Sequence, residues 1–209
     1  MRRKGLLFIT ILIAVSALRG QTLQNGDLLF QTEGRSAFSE AISTATARDS
    51  LGFVHVAILH IDEDGIPNVI EASPRAGVRE ITLDQFLEES PLIDGNPGVV
   101  VKRLTVPFPA GEAIERAREH IGEPYDWYFL PDNGMMYCSE LIYHCYLTED
   151  SAPIFSTVPM NFRSADGEMP AFWTELYEKL GMEVPEGLPG TNPNQISASP
   201  LLEEVWRYF

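Results

Sequence analysis

Cysteine is scarce in this sequence of 209 residues: there are two, Cys138 and Cys145. Two thiols cannot build the multiple-disulfide framework on which small secreted domains rely. No internal repeat or low-complexity tract interrupts the chain, which excludes a solenoid and a compositionally disordered protein. Basic runs are missing too. With 15 Lys and Arg against 30 Asp and Glu, the formal net charge is −15, and the field of the whole chain opposes binding to DNA, RNA or an anionic membrane surface. The four histidines, His55, His60, His120 and His144, show no metal-ligand spacing, so neither a metal nor an organic cofactor is implied. No apolar run reaches the roughly 20 residues of a permanent membrane span.

What is present begins with MRRKGLLFITILIAVSALRGQ, a basic start, a short apolar run and a region containing small residues. This layout predicts a secretory signal peptide over 1–20 and an exported, periplasmic location, with an uncleaved membrane anchor as the alternative. No cysteine follows the apolar run to accept a lipid. Residues 21–209 suit one domain with a sizeable core. Loss of Arg2, Arg3, Lys4 and Arg19, with no acid among them, leaves that domain near −19.

The two thiols belong to MMYCSELIYHCY. A helix over 137–147 puts Cys138, Leu141, Ile142, Cys145 and Tyr146 on one apolar face. At 1.5 Å per residue the cysteines lie about 10 Å apart along the axis, too far to bridge. Cys145, in mid-stripe, reads as a small buried hydrophobe. Cys138 falls in the first turn, after Asp132, Asn133 and Gly134, which offer capping character. There the helix dipole favours a thiolate.

GFVHVAILHI, residues 52–61, reads as a core strand. Alternation puts Phe53, His55, Ala57 and Leu59 on one face and His60 on the other, which counts against a metal site built on the two histidines. His55 is either a hydrogen-bonded core residue or a catalytic base. In VIEAS, residues 69–73, Glu71 is either a solvent-facing edge carboxylate or a partner for His55. A two-residue turn at Asp64-Gly65 would point Glu71 away from His55, so their meeting requires a turn longer by an odd residue, or a bulge.

Taken in order, GDLLFQ (26–31), AISTAT (41–46), FVHVAIL (53–59), VIEA (69–72), GEPYDWYF (122–129) and YCSELIY (137–143) resemble the permuted papain-like amidase family, called YiiX-like, within the NlpC-type cell-wall peptidase superfamily. The resemblance implies an α+β fold in which the cysteine helix packs on a small, mostly antiparallel sheet, with histidine and acid preceding the cysteine in circularly permuted order. It also implies Cys138 as nucleophile, His55 as general base and Glu71 as the group orienting the imidazole. Tyr125 and Tyr137 become candidates for oxyanion or substrate contacts. The expected activity is hydrolysis of an amide in cell-wall peptides or related small amides. A lipid-directed amidase, esterase or acyltransferase acting on an acyl-lipid is the second reading, and a non-catalytic binding module the third.

Elsewhere the patterns predict strands at 26–31 and 99–106 and helices at 38–47, 110–122 and through MPAFWTELYEKLG, ending at Gly181. ESPLIDGNPG, 89–98, reads as a loop. The proline- and glycine-rich stretch before the C-terminus reads as an ordered loop over the surface, with LLEEVWRYF docking its aromatic side chains.

Overall fold

The computed structural model describes residues 22–46 and 51–209. The segment expected to direct export lies outside the described residues. Among the described residues no helix is long and apolar enough to cross a membrane.

The elements in chain order are β1 (Leu28–Thr32), α1 (Ala37–Thr46), β2 (Phe53–Ile61), β3 (Pro67–Ser73), β4 (Gly77–Thr82), α2 (Leu83–Glu89), β5 (Leu92–Ile93), β6 (Asn96–Pro97), β7 (Val99–Leu104), α3 (Ala110–Glu119), α4 (Cys138–Cys145), β8 (Val158–Pro159), α5 (Ala171–Leu180), β9 (Pro189–Gly190), α6 (Pro193–Ser197) and β10 (Leu202–Arg207). Six strands form one sheet in the order β10-β7-β1-β2-β3-β4, every neighbouring pair antiparallel. This is the α+β architecture expected.

Alternation along the central strands divides the interior into two cores. Leu28, Phe30, Val56, Ile58, Ile70 and Val100 face α3, α4 and α5. Leu29, Ala57, Leu59, Val69 and Val101 face the other way, where Leu83 and Phe86 of α2 cover them. Each large apolar side chain buried here contributes roughly 1.5–3 kcal/mol, so the central strands and α4 hold the fold. The polar termini are served locally: Thr82 caps α2 by accepting the Gln85 N–H, and Gly181 ends α5 at φ 68°, a left-handed conformation that suits glycine.

Two segments differ from expectation. Residues 89–98 carry the small β5-β6 hairpin. The C-terminal stretch is an integral part of the domain, because β10 pairs with β7 as the edge strand of the sheet. Asn194 of α6 accepts the Phe53 N–H and donates to the Phe53 carbonyl, tying the tail to the first residue of β2. Proline and glycine content masked α6, which begins with a proline at its first turn, and β10 is a short strand of six residues whose partner lies far upstream.

Candidate active site

Cys138 is the first residue of α4, which stands on β2 and β3 through Leu141, Ile142 and Cys145, all fully buried. The expected apolar stripe is therefore the packing face. Asp132–Gly134 does not cap the helix. It forms a turn further upstream, with Asp132 and Gly134 at positive φ and Asn133 accepting the Met135 N–H. The residue before the helix is Tyr137, extended, and Glu140 accepts its N–H at 3.4 Å.

His55 is the third residue of β2. Gln31 pairs with His55 but Thr32 pairs with Phe53, so Val54 is the extra residue of a β-bulge. The bulge turns Phe53 into the core containing Phe30, their rings 5.4 Å apart, and removes it from the face assigned to it by simple alternation. His55 lies 6.2 Å, ring to ring, from Phe86.

The turn between β2 and β3 runs from Asp62 to Ile66. It pairs Ile58 with Ile70 and Ile61 with Pro67, one residue out of step with a two-residue hairpin. Continued, that register sets Glu71 opposite Ala57, on the same face as His55, which is the odd-residue adjustment their meeting requires. Glu71 Oε2 lies 2.6 Å from His55 Nε2. Its other oxygen, Oε1, accepts from Arg79 Nε at 2.8 Å and lies 2.6 Å from Arg79 Nη2. Arg79 in turn reaches Glu89, at the end of α2.

With Nε2 committed to Glu71, Nδ1 is the imidazole nitrogen left for Cys138. Burial works against a charged His55. The nearby Cys138, together with the Glu71 hydrogen bond and charge, outweighs it and raises the histidine to about 10. Burial would likewise raise Glu71, yet the His55 hydrogen bond and charge, followed by Arg79, hold it below the ordinary carboxylate range. His55 and Glu71 thus form a buried hydrogen-bonded pair, and the buried Cys138, first residue of α4, is near enough to influence the imidazole. Cys145 differs: burial pushes its thiol up to about 12, with Arg116 only partly offsetting this. Both cysteines are free.

The two tyrosines separate. Tyr137 is packed on Phe129, and its hydroxyl accepts the Thr191 N–H at 3.1 Å, so it braces the β9-α6 turn. Tyr125 is bridged to Met136, just before α4. Its hydroxyl has no hydrogen-bond partner among the described residues. Burial first, then the charge of Cys138, raises its pKa well above the ordinary value, which keeps it a neutral donor.

Two concave spaces meet here, and Tyr125 and Ile42 line both. A mostly apolar recess holds Cys138, Tyr137, Phe129, Met160 and Trp173. A much larger open groove holds His55, Glu71 and Arg79, with Arg35 and Arg75. Arg79 and Glu89 were not singled out in the sequence. The signal was available, because the short turn at Pro74–Ala76 pairs Glu71 with Arg79 across β3 and β4.

An antiparallel sheet carrying histidine and acid, followed in sequence by a cysteine helix packed on it, defines a papain-like fold in permuted order. The chain belongs to the family described as permuted papain-like amidase enzyme, YaeF/YiiX, C92, whose profile matches residues 22–206. It is accordingly a cysteine-nucleophile hydrolase. It is 27% identical over 218 residues to a protein of Escherichia coli (strain K12) described as uncharacterized protein YiiX, covering 99% of this chain and 98% of the relative. Among solved structures, the chain resembles metalloprotein yiiX from Escherichia coli O157:H7, DUF1105, with a TM-score of 0.70. That alignment is 24% identical and covers 89% of this chain and 98% of the other.

Proposed function

We propose that the protein is an exported amidase that cleaves an amide in cell-wall peptides or related small amides, with Cys138 as nucleophile, His55 as acid and base and Glu71 as the orienting group. The observation that carries this reading is the buried His55–Glu71 hydrogen bond, 2.6 Å long, in a fold that starts α4 with the buried Cys138. The Cys138 thiolate attacks the amide carbonyl carbon, and its Sγ–C bond forms as the carbonyl π electrons move to oxygen. On this reading, the unpaired N–H groups at the start of α4 and the neutral Tyr125 hydroxyl donate to that oxyanion. His55 then gives its proton to the amine nitrogen as the C–N bond breaks, leaving a thioester. Water attacks the thioester while His55 takes its proton, and the acid departs with regeneration of the thiolate.

The neighbour from Escherichia coli O157:H7 is described as a metalloprotein. Among the described residues of this chain, no three His, Cys, Asp or Glu side chains gather as a metal-holding group. His55 is engaged by Glu71, and Glu71 by Arg79. This donor set does not suit a metal, and no step passes through one.

The apolar recess beside Cys138 supports a second reading, in which the acyl half is a hydrocarbon chain and the substrate an acyl-lipid. Incubation with peptide amides and with N-acyl amides of graded chain length, followed by acid quench and mass analysis, tests both readings. An acyl adduct on the peptide bearing Cys138, absent in Cys138→Ala, is expected. Hydrolysis that persists in Cys138→Ala would rule out the proposed nucleophile.

A further inference from the structure

In a chain with twice as many acids as bases, most basic side chains of the described residues are engaged within the fold. Arg103 is paired with Asp27, Arg118 with Glu80 and Glu115, and Arg207 with Glu204. Arg116 and Arg163 donate to backbone carbonyls, as does Lys102. Arg79 serves Glu71 and Glu89. Among the described residues, three basic side chains have no such partner: Arg35, Arg75 and Lys179. Two of the three, Arg35 and Arg75, line the same groove, and it is the groove that holds His55. Glu33 is the acid lining it that has no cation partner among the described residues.

We propose that Arg35 and Arg75 form an oxyanion-recognising subsite for the amine half of the substrate, so that the preferred amides release an amine bearing a carboxylate or a phosphate. This rests on the amidase reading above, which fixes the direction. His55 must protonate the departing nitrogen, so the amine half lies on the His55 side, in the groove. The acyl half then faces the apolar recess beside Cys138. Planar guanidinium groups bind carboxylate and phosphate oxygens in paired hydrogen bonds, and two cations without internal carboxylates are free to do so. The net negative charge elsewhere makes this a local, short-range preference rather than long-range steering.

The test uses the full chain and a matched set of N-acyl amides sharing one acyl group, with glycine, glycinamide or phosphoethanolamine as the amine half. At exposed sites each guanidinium contact is worth about 3- to 5-fold, so two give a preference of roughly tenfold in kcat/KM for the anionic amines over glycinamide. In the double variant Arg35→Gln and Arg75→Gln that ratio falls toward one, and Arg35→Glu with Arg75→Glu reverses it in favour of the neutral glycinamide. Comparing the glycine and phosphoethanolamine arms separates a carboxylate source from a phosphate source. Cleavage with no preference between glycine and glycinamide, or a preference that survives the double variant, overturns the subsite while leaving the amidase reading intact. Calorimetric titration of the Cys138→Ala chain with the same amides reads the subsite without turnover. Equal binding of charged and neutral amides there overturns it independently, whereas anion-selective binding by Cys138→Ala alongside a parent chain that cleaves none of these amides refutes the amidase reading instead.

Discussion

Replacing Arg79 with Met removes the cation from a buried carboxylate while keeping much of the side-chain volume. Glu71 is 4% exposed and would retain one partner, His55. Breaking a fully buried ion pair costs about 3–5 kcal/mol because the surviving charge is stranded. The Arg79 side chain is 24% exposed, so water reaches that end of the pair, and the cost is discounted to about 2 kcal/mol. For a domain of this size that is a drop in Tm of roughly 4–8 °C. The chemical consequence follows from the same loss: without Arg79, the Glu71 pKa rises, and the acid limb of the pH profile of kcat/KM moves to higher pH. Glu89→Gln, at the exposed end of the network, should change stability by no more than about 0.5 kcal/mol. Thermal denaturation at pH 7 and a pH-rate profile measure both effects. An Arg79→Met chain that melts like the parent and keeps its acid limb would show that the guanidinium neither stabilises nor tunes Glu71.

Three further outcomes are expected. His55 is raised from 6.5 to about 10 in the folded state, so its contribution to stability is complete below pH 6.5 and is lost as pH rises through about 10. Midpoints of denaturation should fall more steeply across that window in the parent than in His55→Gln, and parallel curves would refute it. Cys145→Ala should cost about 1 kcal/mol in urea denaturation and leave amide hydrolysis intact, since Cys145 is a packing residue of α4. A loss of hydrolysis at unchanged stability would contradict this. Gly77→Ala should cost about 2–4 kcal/mol in the same assay. Gly77 has φ 71°, and an added Cβ would run into the Glu123 carbonyl oxygen. That carbonyl also accepts the Val78 N–H, linking β4 to the segment leading to Tyr125.

The strands and helices with strong periodicity were legible, because burial demands it. FVHVAILHI and CSELIYHC could hardly pack otherwise. Proximity of Glu71 to His55 was legible only as a condition, an odd-residue lengthening of the turn, which the Asp62–Ile66 turn satisfies. The bulge at Val54 was not legible, since it depends on pairing with β1, a partner 22 residues upstream. Arg79 is legible only once the short Pro74–Ala76 turn is read as a hairpin, which pairs it across the strands with Glu71. The tail was opaque for a related reason: β10 pairs with β7, about a hundred residues earlier in the chain. No local pattern announces an edge strand completed from so far away.

The central claim is that Cys138, His55 and Glu71 act as one unit, and the most direct measurement is the alkylation rate of each cysteine as a function of pH, resolved by peptide mass. The account predicts rapid modification of Cys138 persisting below pH 7, slowed in His55→Ala, while Cys145 stays protected until the protein unfolds. Slow and equal reaction of both thiols, unchanged by His55→Ala, would contradict it.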